Sequence, residues 1–182
     1  MNWIDTAAVY GLGHSEEVVA KAIHALPEAD RPFVFTKAGL VCDENDRAAA
    51  PKRIMAAAGV RRELEDSLRR LNVERIDLYQ VHWPDTGAAL DFSAPDGVEP
   101  AVATPLEKYW QTMADLVEEG KVRAIGLSNH DVPQLGIAEA VAHVDASRSQ
   151  FSLIKREAAG ELAWAAAHHT AASSTSRSTP AC

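Results

Sequence analysis

The sequence predicts an α/β protein built on a parallel sheet, and three observations carry that expectation. Short apolar runs alternate with amphipathic helical stripes along most of the chain. Three of those runs, ending near Asp5, Lys37 and His82, deliver an ionisable side chain at or just past the C-terminal end of a strand. Barrel and open-sheet α/β enzymes place their chemistry there. No low-complexity linker interrupts the units, so right-handed βαβ crossovers into one sheet follow.

The first strand runs through Trp3-Ile4-Asp5, and the loop behind it carries Tyr10 five residues after Asp5. Ser15 is the expected N-cap of the first helix, with Glu16 and Glu17 favouring the positive end of its dipole. Val18, Val19, Ala22, Ile23 and Leu26 recur at helical spacing until Pro27 ends the run. A second strand, Phe33 to Thr36, delivers Lys37, and the polar stretch from Asp43 to Pro51 reads as loop. The next helix buries Val60, Leu64, Leu68 and Leu71, with its arginines and glutamates on a solvated face.

Ile76 to Val81 is apolar almost throughout, as a strand covered on both faces should be, and it ends in His82. A long loop is expected from Thr86 to Ala103, at the functional end of the sheet, where it would form a lid. Thr104-Pro105-Leu106-Glu107 predicts a helix start, with Thr104 as cap. That helix has Leu106, Tyr109, Trp110, Met113, Leu116 and Val117 as its buried stripe and ends at Gly120. Val122 to Leu127 is the fourth strand and runs directly into Ser128-Asn129-His130. A shorter helix from Pro133 to Val141, a fifth strand from Gln150 to Ile154 and a helix from Glu157 to Ala167 complete about five βα units. From Thr170 onward the residues are small and polar with no stripe to bury, which predicts a disordered tail.

At 182 residues, with 47% apolar and 24% charged side chains, the composition is that of an ordinary globular domain. The net charge of −8 offers no basic footprint for nucleic acid or an anionic membrane surface. No segment approaches the roughly 18 apolar residues of a membrane span. Two cysteines, Cys42 and Cys182, make no disulfide framework, so a reducing, cytoplasmic setting is the expectation. His168-His169 is adjacent rather than at ligand spacing, and no metal site is expected.

Asp5-Thr6-Ala7 through Tyr10-Gly11, then Ser15-Glu16, Lys37, His82, Ser128-Asn129 and Gln150, taken in that order from Asn2 to about Ala167, resemble the aldo-keto reductase family. The resemblance implies a (β/α)8 TIM barrel and NADPH-dependent reduction of a small-molecule carbonyl. Its implied catalytic residues are Asp5, Tyr10, Lys37 and His82, and its implied nicotinamide contacts are Ser128, Asn129 and Gln150. Tyr10 would donate the proton, its phenol acidified by the Lys37 ammonium. Asp5 would pair with Lys37, and His82 would hydrogen-bond the carbonyl oxygen.

By the same resemblance the chain corresponds to strands 2 to 6 of the family barrel. Residues 1–168 are expected to form an incomplete barrel domain and 169–182 the disordered tail. An arc of this kind leaves strand edges open to self-association. The alternatives to the reductase are a non-catalytic interaction or regulatory subunit of the same family, or a non-functional gene fragment, and the substrate is not legible.

Overall fold

The computed structural model describes residues 2–43, 45–46, 49–89, 103–151 and 158–175. In chain order its elements are β1 (Trp3–Asp5), α1 (His14–His24), β2 (Phe33–Ala38), β3 (Leu40–Val41), β4 (Lys52–Arg53), α2 (Ala57–Leu71) and β5 (Ile76–Val81). They continue with α3 (Leu106–Glu118), β6 (Val122–Ser128), α4 (Val132–Glu139), β7 (Ala146–Gln150), α5 (Ala159–Ala167) and β8 (Ala171–Thr175). Six strands form one sheet in the order β1-β2-β5-β6-β7-β8, every neighbour parallel. β3 and β4 make a separate antiparallel pair.

Because spatial order follows chain order, each right-handed crossover lays its helix on the same face of the sheet. That one-sided winding belongs to a (β/α) barrel; a doubly wound sheet reverses direction and covers both faces. The helix-side face holds the core. Val34, Ala38, Tyr79, Val81, Ile125 and Leu127 from the strands pack against Val60, Leu64 and Leu71 of α2 and Trp110, Met113 and Leu116 of α3. Trp110 is fully buried and its indole Nε1 donates to the carbonyl of Ala142 at 2.9 Å, so the largest core side chain leaves no donor unmet. The period of two then turns Asp5, Lys37, Gln80 and Arg148 to the opposite, inner face.

Several local expectations change. The fifth strand lies at Ala146–Gln150, upstream of the expected Gln150 to Ile154, and 152–157 lie outside the described residues. The apolar Phe151-Ser152-Leu153-Ile154 run attracts a strand assignment, but backbone pairing with β6 selects the polar Ala-Ser-Arg-Ser-Gln segment instead. Residues 171–175 of the expected tail form a sixth strand, β8, paired with β7 along all five positions. Main-chain hydrogen bonds to a neighbouring strand need no apolar side chain, so composition concealed it. Residues 176–182 lie outside the description.

Capping is redistributed as well. Helix α1 starts at His14 after Gly13, and the hydroxyl of Ser15 pairs with that of Thr6 at 2.8 Å. Pro105 precedes α3 in place of Thr104, whose N–H donates to Asp85 at 3.1 Å. For α4, Asp131 and Gln134 form a reciprocal capping box.

Candidate functional site

The site is assembled at the C-terminal ends of the parallel strands, on the inner face. β1 ends at Asp5 and β2 carries Lys37, held in register by Asp5 opposite Phe35. The Lys37 ammonium donates to Asp5 Oδ2 and to the carbonyl oxygen of Thr6, each at 2.7 Å. Burial lowers the Lys37 pKa from its ordinary value, and the Asp5 carboxylate beside it works in the opposite direction. A turn at Gly39 (φ +91°) leads the chain out of β2; a Cβ there would lie 2.3 Å from the Met55 sulfur, so only glycine fits.

Tyr10 stands in the loop after β1 with 43% of its surface exposed. Lys37 Nζ lies 5.3 Å from the centre of the Tyr10 ring. The His82 ring meets Tyr10 edge-on at 5.7 Å between centroids. His82 extends the pairing of β2 with β5, donating its backbone N–H to Ala38 at 3.0 Å. Its imidazole is driven down to a pKa of about 3, first by burial and then by the Lys37 charge, so it is neutral at physiological pH. The structure therefore brings together all four expected catalytic positions.

The three expected cofactor contacts are placed less uniformly. Ser128 ends β6, and Asn129 follows with φ +62°. The Asn129 amide donates to the His82 carbonyl at 2.9 Å and to the Ser128 hydroxyl at 3.1 Å, tying the end of β6 to the end of β5. Behind this loop, His130 is buried between Tyr109 and the Ser128 carbonyl, both at 2.9 Å. Its pKa is lowered to about 4, chiefly by burial. Neutral imidazole with Nδ1–H on the carbonyl leaves Nε2 to accept from the Tyr109 hydroxyl. Gln150 is the half-buried last residue of β7, on the Arg148 side of the strand.

Asn129→Ala places a Cβ-bearing residue without a local hydrogen-bonding side chain in left-handed backbone, costing about 1–2 kcal/mol of stability. Asn129→Gly keeps the backbone relaxed and should cost less than Asn129→Ala in urea unfolding; the reverse order contradicts this account.

Two site residues escaped the sequence reading. Arg148 Nη1 contacts Asp5 Oδ1 at 2.6 Å, and Gln80 Nε2 donates to the same oxygen at 3.4 Å. Gly126 lies on β6 between the strands that carry them; a Cβ there would sit 3.1 Å from Gln80 Cγ and 2.8 Å from the Ala146 carbonyl. Placing the fifth strand at 146–150 would have put Arg148 on the inward face, but its polar sequence hid the strand. The expected lid, Thr86 to Ala103, lies mostly in 90–102, outside the described residues. What is described is its anchoring: Asp85 accepts backbone N–H donors from Met55, Gly87 and Thr104 at 2.8, 2.9 and 3.1 Å. Among the described residues, no three His, Cys, Asp or Glu side chains gather as a metal site, and no helix is long and apolar enough to cross a membrane.

A one-sided parallel β/α array with a lysine–carboxylate pair, a tyrosine and a neutral histidine at its strand ends defines a barrel-type site. The sequence profile of the Aldo/keto reductase family matches residues 1–171. The aldo-keto reductase YhdN of Bacillus subtilis is 38% identical over 154 residues, covering 85% of this chain and 40% of YhdN. The NADH-specific methylglyoxal reductase of Escherichia coli is 29% identical over 170 residues, 89% of this chain and 47% of that protein. Among solved structures, the glycerol dehydrogenase AKR11B4 from Gluconobacter oxydans superposes with a TM-score of 0.82 at 33% identity, covering all of this chain and 54% of that one. An aldo/keto reductase from Klebsiella pneumoniae, solved with NADP and acetate, gives 0.70 at 28% identity over 94% of this chain and 51% of that one.

The chain belongs to the aldo/keto reductase family, an oxidoreductase family, and its fold is a partial (β/α)8 barrel. It spans about half the length of the relatives it matches.

Proposed function

We propose that this chain carries the catalytic half-site of a cytoplasmic, NADPH-dependent reductase of aldehydes or ketones. One observation carries the reading: a buried ammonium, fixed by Asp5 and the Thr6 carbonyl, lies 5.3 Å from the centre of a phenol ring that also meets a neutral histidine edge-on. A positive charge beside a phenol favours the phenolate and so makes the hydroxyl a better acid. Tyr10 is the proton donor to the carbonyl oxygen. Lys37 is the charge that tunes it, and Asp5 holds Lys37 ionised and in place. His82, being neutral, retains an N–H to donate to the oxygen as negative charge develops there.

The polar groups at the strand ends, with the Asn129 amide oxygen as an acceptor, suit an amide-bearing ring. The Ser128 hydroxyl and the Asn129 amide stand at the end of β6, and the Gln150 amide at the end of β7. These three would hold the carboxamide of a nicotinamide, which supplies the hydride when bound. NADPH is the form proposed, supported by a Klebsiella pneumoniae relative solved with it.

The test is oxidation of NADPH by the full chain with benzaldehyde, beside Tyr10→Phe and a parallel run with NADH. Turnover that falls about 10²–10⁴-fold in Tyr10→Phe, the size of a general-acid contribution, supports the reading. Equal turnover in the variant removes Tyr10 from the role, and a faster NADH reaction removes the NADPH assignment.

A further inference from the structure

Building on that reductase reading, we infer that Arg148 is a specificity-determining residue that directs the site toward carbonyl substrates carrying a carboxylate next to the carbonyl, 2-oxo acids, in preference to neutral aldehydes and ketones. The Asp5 carboxylate is shared by two cations, with Lys37 on Oδ2 at 2.7 Å and Arg148 on Oδ1 at 2.6 Å. With His82 neutral, the cluster of two cations and one anion has a formal charge of +1, inside a chain whose net charge is −8. Uncompensated buried charge is costly unless another group answers it.

Arg148 also has hydrogen-bonding capacity to spare. A guanidinium carries five N–H donors in a planar fork. Nη1 is spent on Asp5, while Nε is buried with no hydrogen-bond partner among the described residues. A buried donor left unmet carries a desolvation penalty that a bound acceptor would remove. An acceptor that is also an anion removes both costs together, and a carboxylate matches the fork's geometry.

Placement puts that fork at the reacting end of the site. Arg148 is opposite Ser128 in the β6–β7 register, and its carbonyl accepts the Asn129 N–H at 2.8 Å. Its charge also reaches Lys37 and His82, lowering the pKa of each. A 2-oxo acid carries its carboxylate one bond from the carbonyl carbon, so a single small molecule offers both an anion for Arg148 and a carbonyl oxygen for Tyr10 and His82.

The experiment is an NMR titration of the full chain that follows the Arg148 Nε–H resonance, identified by its loss in Arg148→Lys. Phenylglyoxylate is the probe, acetophenone the neutral control and inorganic phosphate the competing anion. A saturable shift with phenylglyoxylate and none with acetophenone is the expected result. No shift with phenylglyoxylate, an equal shift with acetophenone, or a shift with phosphate alone overturns the inference. In turnover, Arg148→Gln should raise KM for phenylglyoxylate relative to KM for benzaldehyde by about 10- to 100-fold, the loss of one charge-assisted contact. An unchanged ratio also counts against it. If the unaltered chain binds phenylglyoxylate at Arg148 yet turns over neither substrate, the anion site stands and the reductase reading falls.

Discussion

Asp5→Asn is expected to destabilise the folded chain by about 3–5 kcal/mol, the cost of breaking a buried ion pair from one side. The expectation rests on what Asp5 holds apart. Lys37 and Arg148 approach it from opposite oxygens, with side-chain exposures of only 2% and 14%. Neutralising the carboxylate leaves two desolvated cations facing each other with an amide between them. Lys37→Met is the contrasting change: Asp5 then still has Arg148 and Gln80, so it should lose less stability while losing the charge beside Tyr10.

The pH dependence supplies a second readout for the same variant. The folded-state pKa of Lys37 lies below its ordinary value near 10.5 because of burial. Between the two values the unfolded chain binds more protons, so stability rises with pH and the penalty disappears above about 10.5. Asp5 is the largest group opposing that shift. Removing it widens the window downward, so Asp5→Asn should recover part of its lost stability as pH rises toward 10.5. Urea unfolding across that range measures it; a loss under 1 kcal/mol, or a deficit that grows with pH, contradicts the shared-carboxylate arrangement.

How much of this is legible depends on whether a residue announces its own strand. Lys37 and His82 end apolar runs, so the hydrophobic pattern alone puts them, with Asp5, at the C-terminal ends of strands. The helix stripes are equally clear, since Val60, Leu64 and Leu71 of α2 and Trp110, Met113 and Leu116 of α3 are all in the core. β7 escapes because its residues are Ala, Ser, Arg and Gln, while the apolar run just beyond it looks more like a strand. Arg148 escapes with it. β8 is invisible for a related reason: Ala171–Thr175 is held by pairing to β7, a non-local contact that composition does not encode. Ser15 and Thr104 show the same limit at helix starts, where each hydroxyl or amide finds a better partner across space than along the chain.

Glu16→Ala is expected to cost about as much as Asp5→Asn, roughly 3–5 kcal/mol, although Glu16 lies outside the catalytic cluster. Its side chain is fully buried in the first turn of α1. One carboxylate oxygen accepts from the Thr36 hydroxyl and the other from Arg70 Nε, both at 2.6 Å, so it joins α1, β2 and α2. Without it, the fully buried Thr36 hydroxyl and the Arg70 Nε–H both lose their acceptor, and the guanidinium keeps only the Ser67 hydroxyl at 3.3 Å among the described residues. The consequence should reach the site, because Thr36 precedes Lys37 on β2 and α1 begins directly after the loop that presents Tyr10. An Arg70→Met change removes only one of the three members and leaves Glu16 its Thr36 bond. A double-mutant cycle between Glu16→Ala and Arg70→Met should therefore show a coupling energy above about 1 kcal/mol. Additive losses would mean that the two side chains act independently and that the junction of α1, β2 and α2 is held by packing alone.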